Sequence, residues 1–228
     1  MFEAVLFDFD GVLVDYVDSD IQSLRWLHSC VKPDVCFADF LDTAVEEIMI
    51  FHRLVDAGQA NPLQMHEFRL KRTFQQHKII WREHYVNIYK DKLLKTCVPF
   101  PGVPEMLAAV KQKVKTGLVT NAYDGKEQRK RIANAGLVEY FDAIIVAGEI
   151  GVYKPAPAIF LQALQRIETT PDATLFVGDS ITHDMVGAKS VGMTTVLFHK
   201  NSTRNSDAAD YTAVGAIQLK ILLTHLLT

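Results

Sequence analysis

The sequence has little cysteine and no recognisable pattern of metal-binding histidine or cysteine residues. Its 228 residues include three cysteines, Cys30, Cys36 and Cys97, and eight histidines. The cysteines lack the paired spacing of zinc sites, and the histidines are scattered with no HExxH pair. Such a sparse, odd set is expected to remain as reduced thiols, so we expect a cytoplasmic protein. This composition disfavours both a zinc enzyme and a disulfide-rich secreted domain.

The sequence also lacks an excess of one charge and any long apolar run. Its 24 basic and 27 acidic residues give a net charge of −3, and this predicts no nucleic-acid polymer or anionic membrane as a partner. No stretch approaches the ~20 apolar residues of a membrane helix. Glu3 and Asp8 near the start, with no basic lead, are unlike a secretory signal. With 49% hydrophobic residues, the chain can form one large domain, alone or with a smaller one.

Strand and helix patterns alternate along most of the chain. Five apolar runs predict strands, over residues 4–7, 114–120, 141–148, 173–179 and 194–198. Five helical patterns lie between or after them, over residues 104–113, 124–135, 155–167, 182–190 and 215–226. Nearly continuous Val, Ile and Leu strands that alternate with helices are typical of a parallel sheet covered on both faces. We therefore predict an α/β core.

Residues 16–98 follow a different pattern. They show long helical periodicity and no convincing strand, and the segment "VPFPG" at 98–102 marks a return to the sheet. We therefore predict a discontinuous core domain, residues 1–15 and 99–228, interrupted by a helical domain over residues 16–98.

Polar side chains follow the predicted strands at the points where the strands end. In "AVLFDFDGVLVD" (residues 4–15), an apolar strand runs into Asp8 and Asp10. Two carboxylates there are costly unless a cation lies nearby, although Asp and Gly are also ordinary turn residues. Ligands bind at the carboxyl edge of an open parallel sheet. Further polar residues expected at this edge are Thr120, Asn121, Lys154, Asp179 and Asp184.

This set of side chains suits a hard divalent cation together with a phosphate, because it offers four carboxylates, a hydroxyl, an ammonium and amides near helix starts. Simpler interpretations stay open for two of its members. Thr120 could cap the helix that follows it, and Lys154 could be a solvated loop lysine.

Four motifs in order resemble those of the haloacid dehalogenase superfamily of phosphatases. They are "DFDGV" with Asp8 and Asp10, "VTN" with Thr120, "YKPAPAIF" with Lys154, and "VGDSITHD" with Asp179 and Asp184. The helical insert resembles the cap that this family carries after its first strand. The insert and the "YKPAPAIF" stretch are most similar to the branch that contains N-acylneuraminate phosphatase and pyrimidine nucleotidases. The resemblance implies a Rossmann-like parallel sheet core with an inserted helical cap domain.

The resemblance also implies roles for the carboxylates. Asp8 would be the nucleophile that forms an aspartyl-phosphate, and Asp10 would be a general acid and then a general base. Mg²⁺ would be bound by Asp8, by the backbone carbonyl of Asp10 and by Asp179, with Asp184 as a further ligand or an anchor.

The remaining motif residues would bind the phosphate. Lys154 would offset the negative charge of the carboxylates and the phosphate. Thr120, the amide of Asn121 and Gly11 would contact the phosphoryl oxygens, so that they position and stabilise the transferring group.

The resemblance thus predicts a Mg²⁺-dependent phosphomonoester hydrolase that acts on a sugar phosphate or nucleoside monophosphate. Three alternatives stay open. A haloacid dehalogenase of the same fold would need neither the metal nor Asp10. A sugar phosphomutase would keep both aspartates, and a catalytically idle binding protein would keep only the scaffold.

Overall fold

A computed structural model of the chain describes residues 1–201 and 207–228 and divides into two compact units. The first unit comprises Met1–Tyr16 and Val98–Thr228, and the second comprises Val17–Cys97. The sequence pattern predicts these divisions after residue 15 and after residue 98.

The second unit is made of helices. Its elements are α1 (Tyr16–Val31, whose first residue belongs to the first unit), α2 (Phe37–Asp56), a 3₁₀ turn (Pro62–Gln64), α3 (Met65–Gln76) and α4 (His84–Thr96). All residues of this unit are described, and none lies in a strand. Its buried side chains are mostly apolar, such as Leu27, Phe40 and Phe74. The buried Arg69 is tolerated because it donates two hydrogen bonds to the Asp20 carboxylate, at 2.8 and 2.9 Å.

The first unit contains a six-stranded sheet. The strands are β1 (Ala4–Phe7), β2 (Lys115–Thr120), β3 (Ala143–Val146), β4 (Thr174–Gly178), β5 (Thr194–His199) and β6 (Tyr211–Val214). Their order is β3-β2-β1-β4-β5-β6, and every neighbouring pair is parallel. This confirms the predicted Rossmann-like α/β core. The order of strands reverses at β1, so the carboxyl ends of β1 and β4 border the crevice where such sheets bind ligands.

Helices cover the sheet. They are α5 (Val103–Lys111), α6 (Gly125–Asn134), α7 (Ala147–Ile150), α8 (Pro157–Ile167), α9 (Val186–Ser190) and α10 (Gly215–Leu226). Buried residues of α8 and α9 pack against Leu6, Val119 and Phe176 from three neighbouring strands. Helices α5 and α10 contact each other and also contact β2 and β5, respectively. Among the described residues, no helix combines the length and apolar character needed to cross a bilayer.

Two details of the sheet differ from the prediction. The edge strand β6 was not predicted, because it has four residues and only Ala213 is buried. The predicted strand over 141–148 is shorter, since Ala147 begins the short helix α7. An apolar run by itself does not distinguish a buried strand from a buried helical turn.

Candidate active site

Three carboxylates meet at the carboxyl ends of β1 and β4. Asp8 directly follows β1, Asp179 directly follows β4, and Asp184 lies in a single π-helical turn, Ile181–Met185. One carboxylate oxygen from each of the three lies within 4.8 Å of the other two. Asp8 and Asp184 are buried, whereas Asp179 is exposed. We call these three residues the carboxylate cluster.

Backbone amides hold the cluster in place. Asp184 Oδ2 accepts hydrogen bonds from the backbone N–H groups of Asp179 and Ser180, at 3.1 and 3.0 Å. Asp8 Oδ1 accepts one from the backbone N–H of Phe9 at 2.7 Å. Asp184 therefore borders the cluster and also anchors the loop that carries Asp179.

Lys154 places a buried ammonium against the cluster. Its Nζ lies 2.8 Å from Asp8 Oδ1 and 2.7 Å from Asp184 Oδ1. The side chain of Asn121 fixes the backbone of this lysine. It accepts a hydrogen bond from the backbone N–H of Lys154 at 2.8 Å and donates one to the backbone carbonyl of Lys154 at 3.0 Å. The Asn121 side chain therefore positions Lys154, a contact that the sequence does not predict.

The cluster is short of positive charge. Burial raises the pKa of Asp8 well above its ordinary value, and the nearby Asp184 and Asp179 add to the rise while Lys154 opposes it. Partial desolvation of the Asp179 carboxyl group and the nearby Asp184 raise the pKa of Asp179 to about 6. Burial lowers the pKa of Lys154, but Asp184 and Asp8 together raise it above its ordinary value. An additional cation would stabilise the ionised carboxylates.

The residues present fit a magnesium ion. Carboxylate oxygens are its preferred protein ligands, and Asp8, Asp179 and Asp184 supply them. The loop after β1 approaches the cluster closely at Gly11, whose φ is +83°, and a Cβ built there would lie 2.1 Å from Asp179 Oδ2. Only a residue without a side chain leaves Asp179 in this position.

The side chain of Asp10 forms a separate group with residues of α6. Its Oδ2 accepts from Arg131 Nη1 at 2.9 Å and from Gln128 Nε2 at 3.1 Å, and its Oδ1 accepts from Arg131 Nη2 at 2.5 Å. The buried Thr120, which ends β2, joins the same group because its Oγ1 accepts from Gln128 Nε2 at 2.9 Å. Two of the predicted residues, Asp10 and Thr120, are thus linked through the same glutamine.

Gln128 and Arg131 are not among the site residues that the sequence motifs predict. Both are buried, although they lie in a helix that the sequence predicts only as amphipathic. A signal was present, because Gln128, Arg131 and Ile132 have the spacing of one buried helix face. Polar residues at apolar positions of such a face need partners inside the protein.

Comparison of the sequence with known protein families matches residues 5–198 to the haloacid dehalogenase-like hydrolases. Pyrimidine 5′-nucleotidase YjjG from Escherichia coli is 34% identical over 107 residues, which are 46% of this chain and 47% of that protein. N-acylneuraminate-9-phosphatase from Homo sapiens is 30% identical over 140 residues, 60% of this chain and 56% of that protein. The chain therefore spans about half the length of these curated relatives.

Comparison of the structure with solved structures gives the same fold. The HAD-hydrolase YfnB from Bacillus subtilis, determined bound to magnesium, matches with a TM-score of 0.81. The match covers 97% of this chain and 98% of that one at 21% sequence identity.

Proposed function

The chain belongs to the haloacid dehalogenase-like hydrolase family, and we propose that it is a Mg²⁺-dependent phosphomonoester hydrolase. Its substrate would be a small phosphorylated metabolite, a sugar phosphate or a nucleoside monophosphate. The contact of the buried Lys154 with Asp8 and Asp184 carries the proposal, since it joins a nucleophile, an anchor and a cation at one strand edge. The names of the relatives, a nucleotidase and a phosphatase, support the substrate class.

In this reaction Asp8 attacks phosphorus with a carboxylate oxygen. The bond from phosphorus to the ester oxygen breaks, an aspartyl-phosphate forms, and Asp10 gives its proton to the leaving alkoxide. Water then attacks the aspartyl-phosphate, Asp10 takes a proton from it, and inorganic phosphate leaves Asp8 free. Each carboxylate ends the cycle in the state in which it began.

The other residues position and neutralise the phosphoryl group. Lys154 would stay charged against Asp8 and offset the negative charge of the phosphoryl oxygens. Thr120 and the backbone amide of Asn121 would donate hydrogen bonds to these oxygens, and Gly11 would make room for them. Mg²⁺ held by Asp8, Asp179 and Asp184, with the backbone carbonyl of Asp10 as a further ligand, would stabilise charge on those oxygens.

The partners of Asp10 favour a phosphatase over a dehalogenase. A dehalogenase would use Asp8 on carbon and would have no need for a second carboxylate beside it. Here Asp10 has a buried arginine and a buried glutamine as hydrogen-bond partners. A leaving alkoxide needs a proton, whereas a leaving halide does not, so a positioned Asp10 suits phosphate ester cleavage.

The proposal is tested by measuring phosphate release from nitrophenyl phosphate and from a panel of sugar phosphates and nucleoside monophosphates. We expect turnover with Mg²⁺ and none in excess chelator. Asp8→Asn should abolish turnover, because an amide is a poor nucleophile. The circular dichroism spectrum of this variant should stay unchanged, because the amide has the same size as the carboxylate. Asp172→Asn, the same change at an exposed position, should leave turnover unchanged.

Other outcomes would replace the proposal. Full turnover in chelator, or by Asp8→Asn, would refute the mechanism. Metal-independent halide release from 2-haloacids would identify a dehalogenase, and isomerisation of a sugar phosphate without phosphate release would identify a mutase. A wild-type chain that binds phosphate esters without any turnover would be a binding protein.

A further inference from the structure

We propose that Arg131 and Gln128 are positioning residues, which together direct the carboxylate of Asp10 and the hydroxyl of Thr120 for phosphoryl transfer. This inference rests on the proposed function, because it concerns how two of its residues are aimed. Arg131 donates hydrogen bonds to Asp10, and Gln128 donates to both Asp10 and Thr120. Their effect would therefore pass through Asp10 and Thr120.

Arg131 donates hydrogen bonds to both carboxylate oxygens of Asp10 from two of its nitrogens. The Nη1 to Oδ2 distance is 2.9 Å and the Nη2 to Oδ1 distance is 2.5 Å, a paired arrangement that fixes the plane of a carboxylate as well as its position. The guanidinium is itself held, since it is 3% exposed and lies 5.3 Å from the ring centre of Phe9 and 4.9 Å from that of Tyr16. A lysine has a single side-chain nitrogen and could not form this bidentate contact.

Arg131 also sets which way the Gln128 amide faces. Arg131 Nη1 donates to Gln128 Oε1 at 2.7 Å. Because a guanidinium has only donors, the atom that it contacts must be the oxygen of the amide. The amide nitrogen is then directed to the other side, where it lies 3.1 Å from Asp10 Oδ2 and 2.9 Å from Thr120 Oγ1.

The same chain of contacts orients Thr120. Its hydroxyl oxygen accepts a hydrogen bond from Gln128 Nε2, so its single hydrogen is left to donate to another group. Thr120 ends β2, at the strand edge where the phosphoryl group of the substrate would lie. Arg131 thus orients the carboxyl group of Asp10, which in its protonated form would protonate the leaving group. Through Gln128 it also orients the Thr120 hydroxyl, which would contact the phosphoryl oxygens.

This arrangement predicts a dependence on the leaving group. An alkoxide leaves phosphorus only with a proton, so a misdirected Asp10 should slow alkyl phosphates by about the 100-fold typical of general acid catalysis. Nitrophenolate leaves without a proton, so formation of the phospho-enzyme from nitrophenyl phosphate should slow by less than about 10-fold. General loss of structure would slow both substrates equally.

The experiment compares kcat/KM for an alkyl phosphate and for nitrophenyl phosphate in the full chain with Mg²⁺. Arg131→Met should lose at least about 10-fold more of the alkyl activity than of the aryl activity, with a smaller loss in Arg131→Lys. Nitrophenyl phosphate should also give a burst of nitrophenolate, because Asp10 is needed again for hydrolysis of the intermediate. Added guanidinium should restore part of the alkyl activity of Arg131→Ala.

Arg129→Met is the matched control. Arg129 lies on the same helix but is exposed and pairs with Glu149, at 2.8 Å, so this variant should keep both activities. Thermal melts of all variants show whether each is folded. If Arg131→Met is unfolded, the two substrates are compared in Arg131→Lys instead. Equal losses on the two substrates in folded variants would overturn the inference and leave the phosphatase proposal intact. No turnover by the wild-type chain would overturn both.

Discussion

Burial, rather than residue type, distinguishes the lysine of the candidate site. The sequence contains Lys-Pro twice, at residues 32–33 and 154–155. Lys32 is exposed, whereas Lys154 is 3% exposed and contacts Asp8 and Asp184. Of these two lysines, only Lys154 follows a strand of the sheet, β3, closely enough to reach the carboxylates at the edge of the sheet. A buried ammonium of this kind is stable because two carboxylates compensate for its loss of hydration.

At the residue scale we predict the effect of a methyl group at Gly11. Gly11→Ala would place its Cβ against Asp179, so the Mg²⁺ concentration for half-maximal activity should rise at least about 10-fold. Gly136→Ala is the control, since Gly136 has a similar φ of +68° and nothing within 4 Å of its Cβ position. Both changes should lower the free energy of unfolding by about 1 kcal/mol from backbone strain.

Mg²⁺ titrations of activity, with calorimetric titration of binding, measure the first effect, and denaturant unfolding measures the second. The two variants showing the same Mg²⁺ requirement would contradict the close contact between Gly11 and the cluster.

Both edge strands of the sheet begin in the same way. Asp210 precedes β6, and its Oδ2 accepts from the backbone N–H and the hydroxyl of Thr195 on β5, each at 2.8 Å. Asp142 precedes β3, and its Oδ2 accepts from the backbone N–H of Thr116 on β2 at 2.8 Å. In each case a carboxylate satisfies a strand N–H just before the edge strand starts to pair. Such side-chain contacts help a four-residue strand to hold its register.

At the element scale we predict that Asp210→Asn destabilises the sheet edge in a pH-dependent way. Burial raises the pKa of Asp210, but hydrogen bonds from Thr195 and Lys189 outweigh it and hold the pKa below its ordinary value of 3.8. A lowered carboxyl pKa stabilises the fold at pH values above the unfolded-state pKa, and this contribution is lost as pH falls through the folded-state pKa. Because the side chain is 40% exposed, we expect a loss below about 1 kcal/mol at neutral pH.

Denaturant unfolding from neutral pH downwards measures this difference, which should shrink below pH 3.8. Asp207→Asn, the same change three residues earlier at an exposed position, should show no such trend. An Asp210→Asn effect that grows as the pH falls would contradict the assigned hydrogen bonds.

At the scale of the whole molecule, the first unit is built from two separate stretches of chain that are tied together where the insertion begins and ends. Val14 forms an antiparallel bridge with Pro99, and the backbone N–H of Phe100 donates to the carbonyl of Leu13 at 2.9 Å. The chain therefore leaves and re-enters this unit at neighbouring points. This explains how Val17–Cys97 can be inserted without disturbing the strand order.

For the whole molecule we predict thiol reactivity. Cys30 and Cys36 are exposed and Cys97 is buried, so a maleimide should add two labels to the native protein and three to the unfolded protein. Intact-mass spectrometry measures the count. The double variant Cys30→Ser with Cys36→Ser should gain no label while native and one after unfolding. Rapid native labelling of that variant would show that Cys97 is accessible.

The amino-acid sequence alone predicts the parallel α/β core, five of its six strands and the family, because strand ends, apolar runs and short motifs are local patterns. It also predicted that Asp8, Lys154, Asp179 and Asp184 would share one strand edge, since the ends of neighbouring parallel strands must lie side by side. The surroundings of Asp10 become visible only in the folded protein. Its bond to Arg131 joins residues 121 apart in sequence, and no local pattern specifies which buried side chains meet over such a distance.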